Sequence, residues 1–362
     1  MTRRGGIVLA VVLAVVGALG VPTPAHATHL SCGQTITTNT TLDSDIGPCT
    51  NFGLIVGANG ITLDLNGHRI FGTSAVNDKA GVYLLNRVGV TVRNGTLTDF
   101  DIGVAIEGGS RNLVTGVNAQ HNIGGAGGIG GDGIALLSTR NNAISGNRTV
   151  DNGPFSGIGI YSRVDSDHPR ATSGPSQGNV IDGNYVFGNI ISRNRVNPTG
   201  TDNDGIRMEN DAAFNTLSNN QVLRNGLDGI ALFADTADNT VRGNQVEGNG
   251  FYRTTARRGS GIIVFSRSTR NLVENNLSVR NADSGIDIRP PVGTSVGALN
   301  NSILNNTAVN NSALPFIPSP VFGPSFDLKD GNVNPPCDNN TWFGNRYRTF
   351  NQPCVTAGGQ QI

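Results

Sequence analysis

Residues 227–249 read LDGIALFADTADNTVRGNQVEGN, and residues 203–225 read NDGIRMENDAAFNTLSNNQVLRN. Set one above the other, they share a glycine–isoleucine step, an asparagine ten residues later, and two more asparagines at intervals of five. The step recurs at Gly133-Ile134, Gly157-Ile158, Gly205-Ile206, Gly229-Ile230, Gly261-Ile262 and Gly285-Ile286, with intervals of 24, 48, 24, 32 and 24 residues. Looser copies, Gly81-Val82 and Gly103-Val104, stand 22 residues apart upstream. A fixed period in this range marks a solenoid, in which each repeat buries its apolar face only against its neighbours.

Within one repeat, Ile230 and Leu232 alternate with Ala231 and Phe233, which is a strand with one side turned inward. Asn239-Thr240-Val241, Asn244-Gln245-Val246 and Asn249 follow, and the same N-x-V-x-x-N spacing recurs at Asn179/Asn184/Asn189, Asn215/Asn220/Asn225, Asn271/Asn276/Asn281 and Asn301/Asn306. Each coil therefore reads as three short strands separated by bends. Asparagine suits a bend because it tolerates left-handed backbone. Stacked in register, its amides also hydrogen-bond along the axis. These strands and turns, with the opening Gly60-Ile61-Thr62-Leu63-Asp64-Leu65-Asn66-Gly67-His68, resemble the right-handed parallel β-helix of the pectin-lyase-like superfold. Within it the chain is most similar to secreted proteins with NosD-type repeats. The resemblance implies an all-β, single-domain solenoid of roughly nine coils over 53–325. It does not imply one chemistry, because this fold carries many.

Composition narrows the partners. The chain has 362 residues, 50 of them glycine, with 14% charged residues and a formal net charge of zero. No basic block points to nucleic acid. Residues 1–27 read as an export leader: Arg3 and Arg4, an apolar run from Ile7 to Val21, then Ala25-His26-Ala27. The run is short for a membrane span, so the mature chain is expected to be secreted, without a span, and monomeric. Cys32 and Cys49 are 17 apart, as are Cys337 and Cys354. Roughly nine coils at about 4.8 Å each hold the two ends apart, so only the local pairings fit. They would pin an N-terminal cap (28–52) and a C-terminal cap and tail (326–362), the latter holding Trp342 as a packing residue.

Insertions interrupt the repeat at 124–131, 163–177, 190–202 and 250–259, and insertions in a solenoid often border the binding face. The outward residues of the glycine strands form a stripe that includes Tyr161, Arg207, Glu209, Phe233, Phe265, Asp287 and Arg289. Read as an exposed groove of aromatic platforms and guanidinium groups, it suits an extended acidic or polyhydroxylated chain. Asp204 and Asp228 precede the glycine on adjacent coils, a spacing open to calcium (Ca2+) or to ordinary turn chemistry.

Polygalacturonase-type hydrolases of this fold carry N-T-D-G followed by D-D. Asn203-Asp204-Gly205 and Leu227-Asp228-Gly229 echo that only in part, and Gly259-Ser260-Gly261 stands where G-H-G belongs. Polyuronate lyases and epimerases begin by removing the proton beside a carboxylate, which needs a neutralising group, a base and a proton donor. Tyr161 and His168 are the acid–base candidates, Arg207 the neutralising group, and Arg163 a substrate contact. Copper delivery, the role of NosD-type relatives, lacks clustered Met, Cys or His. The expected function is action on an extracellular, acidic polysaccharide by lyase or epimerase chemistry. The alternative is a glycan-binding β-helix without turnover.

Overall fold

The computed structural model describes residues 27–74, 79–124, 130–162, 174–190, 203–251, 259–289, 297–312, 324–332 and 335–362. The expected leader lies outside the described residues except for Ala27. Each strand pairs in parallel with its counterpart one coil away, as Ser156–Tyr161 does with Asp204–Glu209 and that strand with Ile230–Phe233. The molecule is a parallel β-helix with three faces. The glycine face is an 11-stranded sheet running from Gln34–Ile36 to Leu328–Asp330. The second and third faces merge into a 22-stranded sheet. They merge because Thr91–Thr98 and Leu113–Gln120 run straight through the bend between them.

Among the described residues the glycine sheet has eleven rungs, more than the roughly nine that the sequence implies. Gln34–Ile36 and Leu328–Asp330 join the glycine sheet without a glycine–aliphatic step to announce them, and Leu54–Val56 follows the step Gly53-Leu54 that the period does not reach. The terminal segments are thus coils in their own right, and Cys32–Cys49 and Cys337–Cys354 are bonded within them. Trp342 is buried there and donates its indole N–H to Asp330 at 3.0 Å. Among the described residues no helix is long and apolar enough to cross a membrane.

The inward residues of all three faces form one continuous core, including Ile134, Ile158, Ile206, Leu232 and Ile286. Ile206→Ala is expected to cost about 2–5 kcal/mol, the range for emptying a packed aliphatic site. Phe233→Ala, at a half-buried position, should cost much less when both are unfolded in denaturant. Equal losses would mean that the two sides of the strand are exchanged.

Three asparagine ladders run along the corners. The first joins Asn112, Asn142, Asn179, Asn215, Asn239, Asn271, Asn301 and Asn340. The second runs from Asn147 through Asn184, Asn220, Asn244, Asn276 and Asn306 to Asn345. The third runs from Asn122 through Asn152, Asn189, Asn225, Asn249 and Asn281 to Asn311. In each, an amide nitrogen donates to the amide oxygen of the next coil; the spacings are 3.0 Å for Asn142 to Asn179 and 3.2 Å for Asn301 to Asn340.

The ladder asparagines are not the left-handed residues. That conformation belongs to the residue just before each one: Asp238 before Asn239, Gly243 before Asn244, Gly248 before Asn249. Bend and ladder are two jobs on two neighbouring residues. The recurring glycine has a third reason, close approach. A Cβ on Gly205 would stand 2.3 Å from Val222 Cγ1 and 2.6 Å from the Gly229 carbonyl oxygen, where no side chain fits.

Candidate functional site

The outward side of the glycine face is not an open groove. Tyr161 and Asp287 are 0% exposed, Arg289 2% and Arg207 5%. Strand alternation tells which side of a sheet a residue takes, not whether water reaches that side. In the first half this side is apolar: Ala80, Ile102, Ala105, Ala135, Leu137 and Tyr161 form a second buried cluster with Phe52 and Tyr83 packed against it. In the second half buried ionic groups flank apolar Ala231 and Ile263, which stand in register between Arg207 and Asp287.

Tyr161 stands where the two halves meet. Its ring lies over Gly159, whose Cβ would come within 2.2 Å of the phenolic oxygen. The hydroxyl donates to Asp132 Oδ1 at 3.0 Å and lies 3.4 Å from Ser156 Oγ. Burial and the Asp132 carboxylate push the phenol well above its ordinary pKa, so Tyr161 keeps its proton at neutral pH.

One rung on, Arg207 bridges its own strand. It donates from Nη1 to Asp204 Oδ2 at 2.9 Å and from Nε to Glu209 Oε2 at 2.6 Å, and its guanidinium sits 4.6 Å from the centre of the Phe233 ring. Phe233 and Phe265 pack with centroids 5.0 Å apart. Glu209, Phe233 and Phe265 are half-buried, so this end of the strands is the accessible fringe.

Farther along, Arg289 donates from Nε to Asp287 Oδ2 at 3.0 Å and lies 3.9 Å from both Asp228 and Asp283. Lys329 lies 3.8 Å from Asp287 and is in register with it. Burial pushes the Asp287 carboxyl up, but Lys329 and Arg289 together hold it below its ordinary value. Asp283, buried beside the charged Asp287, is raised.

Asp132, Asp204 and Asp228 are also rungs. Each accepts the backbone N–H of the homologous residue on the next coil, from Ser156 (3.0 Å), Asp228 (2.9 Å) and Ser260 (2.7 Å). Asp204 and Asp228 do stack on neighbouring coils, as their spacing predicts. The donor set does not fit calcium, because Asp204 meets a guanidinium and an N–H where a cation site would need free oxygens. Among the described residues no three His, Cys, Asp or Glu side chains come together as a metal site. His168 and Arg163 lie outside the described residues. Asp132, Asp283 and Lys329 belong to the network although the sequence does not single them out as a site. Asp132 shares the pre-glycine position of Asp204 and Asp228, which is the one signal that points to it. Lys329 sits past the last glycine–isoleucine step, where the period gives no register.

Among solved structures the fold resembles the Dettilon tailspike protein gp208, with TM-score 0.61, 17% identity, and coverage of 89% of this chain and 57% of that one. The chain thus spans little more than half of the tailspike's length. It also resembles Geobacillus virus E2 ORF18 (TM-score 0.51, 11% identity, 78% and 49% covered) and the alginate lyase from Paenibacillus sp. str. FPU-7 (0.47, 14%, 89% and 98%). At such identities the likeness is one of fold. No curated protein matches the sequence. The right handed beta helix region family matches residues 29–197 and 181–360. With parallel coils stacked over the whole described length, the chain belongs to that right-handed β-helix family.

Proposed function

We propose that this chain is a secreted β-helix acting on an extracellular acidic polysaccharide along its glycine face, through the proton transfers of lyase or epimerase chemistry. One juxtaposition supports the reading: a proton-holding tyrosine beside an arginine on the next rung. Gly159, over which the Tyr161 ring lies, is in register with Arg207, and Arg207 and Glu209 both act electrostatically on the phenol. Tyr161 is then the proton donor rather than the base, with Asp132 orienting its hydroxyl. Arg207 opposes the substrate carboxylate, exchanging an internal partner for it. Glu209, Phe233 and Phe265 form the approach.

A second reading, binding without turnover, is favoured by one observation. Tyr161 and Asp132 are both fully buried, and each carboxylate beside the glycines is already engaged by the next coil.

Incubation with alginate and polygalacturonate, followed by absorbance of unsaturated uronate and by proton exchange at C5, separates the two. Under the catalytic reading Tyr161→Phe should lower turnover by about 10²–10⁴-fold, the size of a general-acid contribution. The variant keeps the ring, so it should unfold within about 1–2 kcal/mol of the parent. Wild-type turnover unaffected by Tyr161→Phe removes the tyrosine from the mechanism. Binding of either glycan with no turnover leaves the second reading.

A further inference from the structure

The third face carries a feature that the glycine face does not use. On its strand Tyr185–Phe187 the two rings point outward and stack nearly parallel, with centroids 5.8 Å apart and planes 12° apart. Both are half-buried, so each leaves part of its ring surface to solvent. Arg148, exposed on the preceding coil and in register with Tyr185, holds its guanidinium 5.6 Å from that ring's centre.

Arg148 differs from several exposed arginines in what it meets, although Arg348 likewise meets an amide, that of Asn310, at 2.7 Å. Arg93 is paired with Asp64, Arg267 with Asp235, Arg270 with Asp238 and Arg280 with Glu247. Its own hydrogen bond goes from Nη1 to the amide oxygen of Asn118 at 3.3 Å. Its in-register neighbours, Asn118 and Tyr185, carry no acid. A solvated cation, a stacked aromatic pair and amide side chains (Asn118, and Gln221 in register with Tyr185 on the other side) stand together on a rigid sheet.

We infer that Arg148, Tyr185 and Phe187 form a separate binding platform for an acidic glycan chain. The C–H face of a pyranose ring packs on the ring surface that the stacked pair leaves to solvent. The guanidinium takes a carboxylate, where a bidentate contact is worth most. Asn118 and Gln221 meet the hydroxyls. Sheet packing alone does not require this set. The equivalent positions on neighbouring coils are Arg148 and Val150 on one side and Gln221 and Leu223 on the other, and none of these is an aromatic partner for the two rings.

The platform shares its ligand class with the glycine-face reading but none of its residues. Affinity electrophoresis through gels containing alginate, polygalacturonate or neutral galactan tests it, with melting temperature as the control for folding. Wild type should be retarded by at least one acidic glycan, more strongly at low salt. Tyr185→Thr/Phe187→Val, which keeps residues suited to a strand, should weaken that retardation about tenfold, the size of losing an aromatic anchor. Arg148→Gln should abolish its salt dependence while leaving the melting temperature unchanged.

Retardation of these variants equal to wild type, or none of the wild type in any gel, overturns the platform. If Tyr161→Phe loses turnover while Tyr185→Thr/Phe187→Val binds as wild type does, the glycine-face reading stands and this one falls. The reverse pattern keeps the platform and removes the glycine-face chemistry.

Discussion

Arg289→Met is expected to lower the unfolding free energy by about 3–5 kcal/mol, the usual cost of removing one partner from a buried ionic group. Arg289 is 2% exposed and faces Asp287 at 3.0 Å and Asp228 and Asp283 at 3.9 Å. Methionine fills much of the same space, so the loss measures charge rather than a cavity. The three carboxylates would then lose the guanidinium they share, with Lys329 reaching Asp287 at 3.8 Å. The pH dependence gives a second signature. In the parent, Asp287 is held below its ordinary pKa, so its contribution is present above the unfolded value near 3.9 and fades as pH falls through the lower folded value. In the variant the stranded carboxyls titrate above their unfolded values, so the folded state binds the extra proton. Its stability should therefore rise as pH falls from 7 toward 5, and the gap to the parent should narrow. Denaturant unfolding at pH 7 and pH 5 reads both effects. A loss under about 1 kcal/mol, independent of pH, would mean that these charges are solvated.

Asn220→Leu should cost a similar amount, about 3–5 kcal/mol, through unsatisfied polar groups rather than charge. The Asn220 amide donates to Asn244 Oδ1 (3.0 Å) and to the Ile181 carbonyl (2.9 Å), and its oxygen accepts from the backbone and side-chain nitrogens of Asn184, both at 3.0 Å. Leucine matches the shape but strands all four partners in the interior. The neighbouring residue is the control. Asn219 is exposed and carries the left-handed φ of 54°, so Asn219→Gly should change stability by a few tenths of a kcal/mol at most. Similar losses at 219 and 220 would contradict the division of labour between bend and ladder.

That division was only half legible beforehand. The glycine–isoleucine period and the five-residue asparagine spacing carry the coil, its three strands and the inward side of Ile206 and Leu232. Period and alternation are set by backbone geometry alone, so they survive in sequence. Asparagine satisfies both turn and ladder chemistry, and its letter does not say which job Asn239 performs. The glycine of Gly243-Asn244 marks the left-handed position openly, whereas Asp238-Asn239 conceals it. The burial of Tyr161, Arg207 and Arg289 was out of reach for another reason. An arginine two residues after an aspartate reads alike whether the pair faces water or closes on itself, and Lys329 meets Asp287 across 42 residues, off the 24-residue period.

The ladders also have a direction. Every amide in them turns its NH₂ toward the C-terminal end and its oxygen toward the N-terminal end, so the amide dipoles in each column add head to tail. The solenoid is electrically polar, with a partial positive pole in each column at the C-terminal end, much as a helix has one at its N-terminus. Two of the three columns end in a way that matches that polarity. The third column closes on a carboxylate, Asn311 donating to Asp327 Oδ1 at 2.9 Å, and the first closes on another, Asn340 donating to Asp330 Oδ2 at 3.1 Å. A coil duplicated anywhere inside the stack would prolong the columns without disturbing their poles. One added beyond Asp327 and Asp330 would have to carry its own acids to the new end.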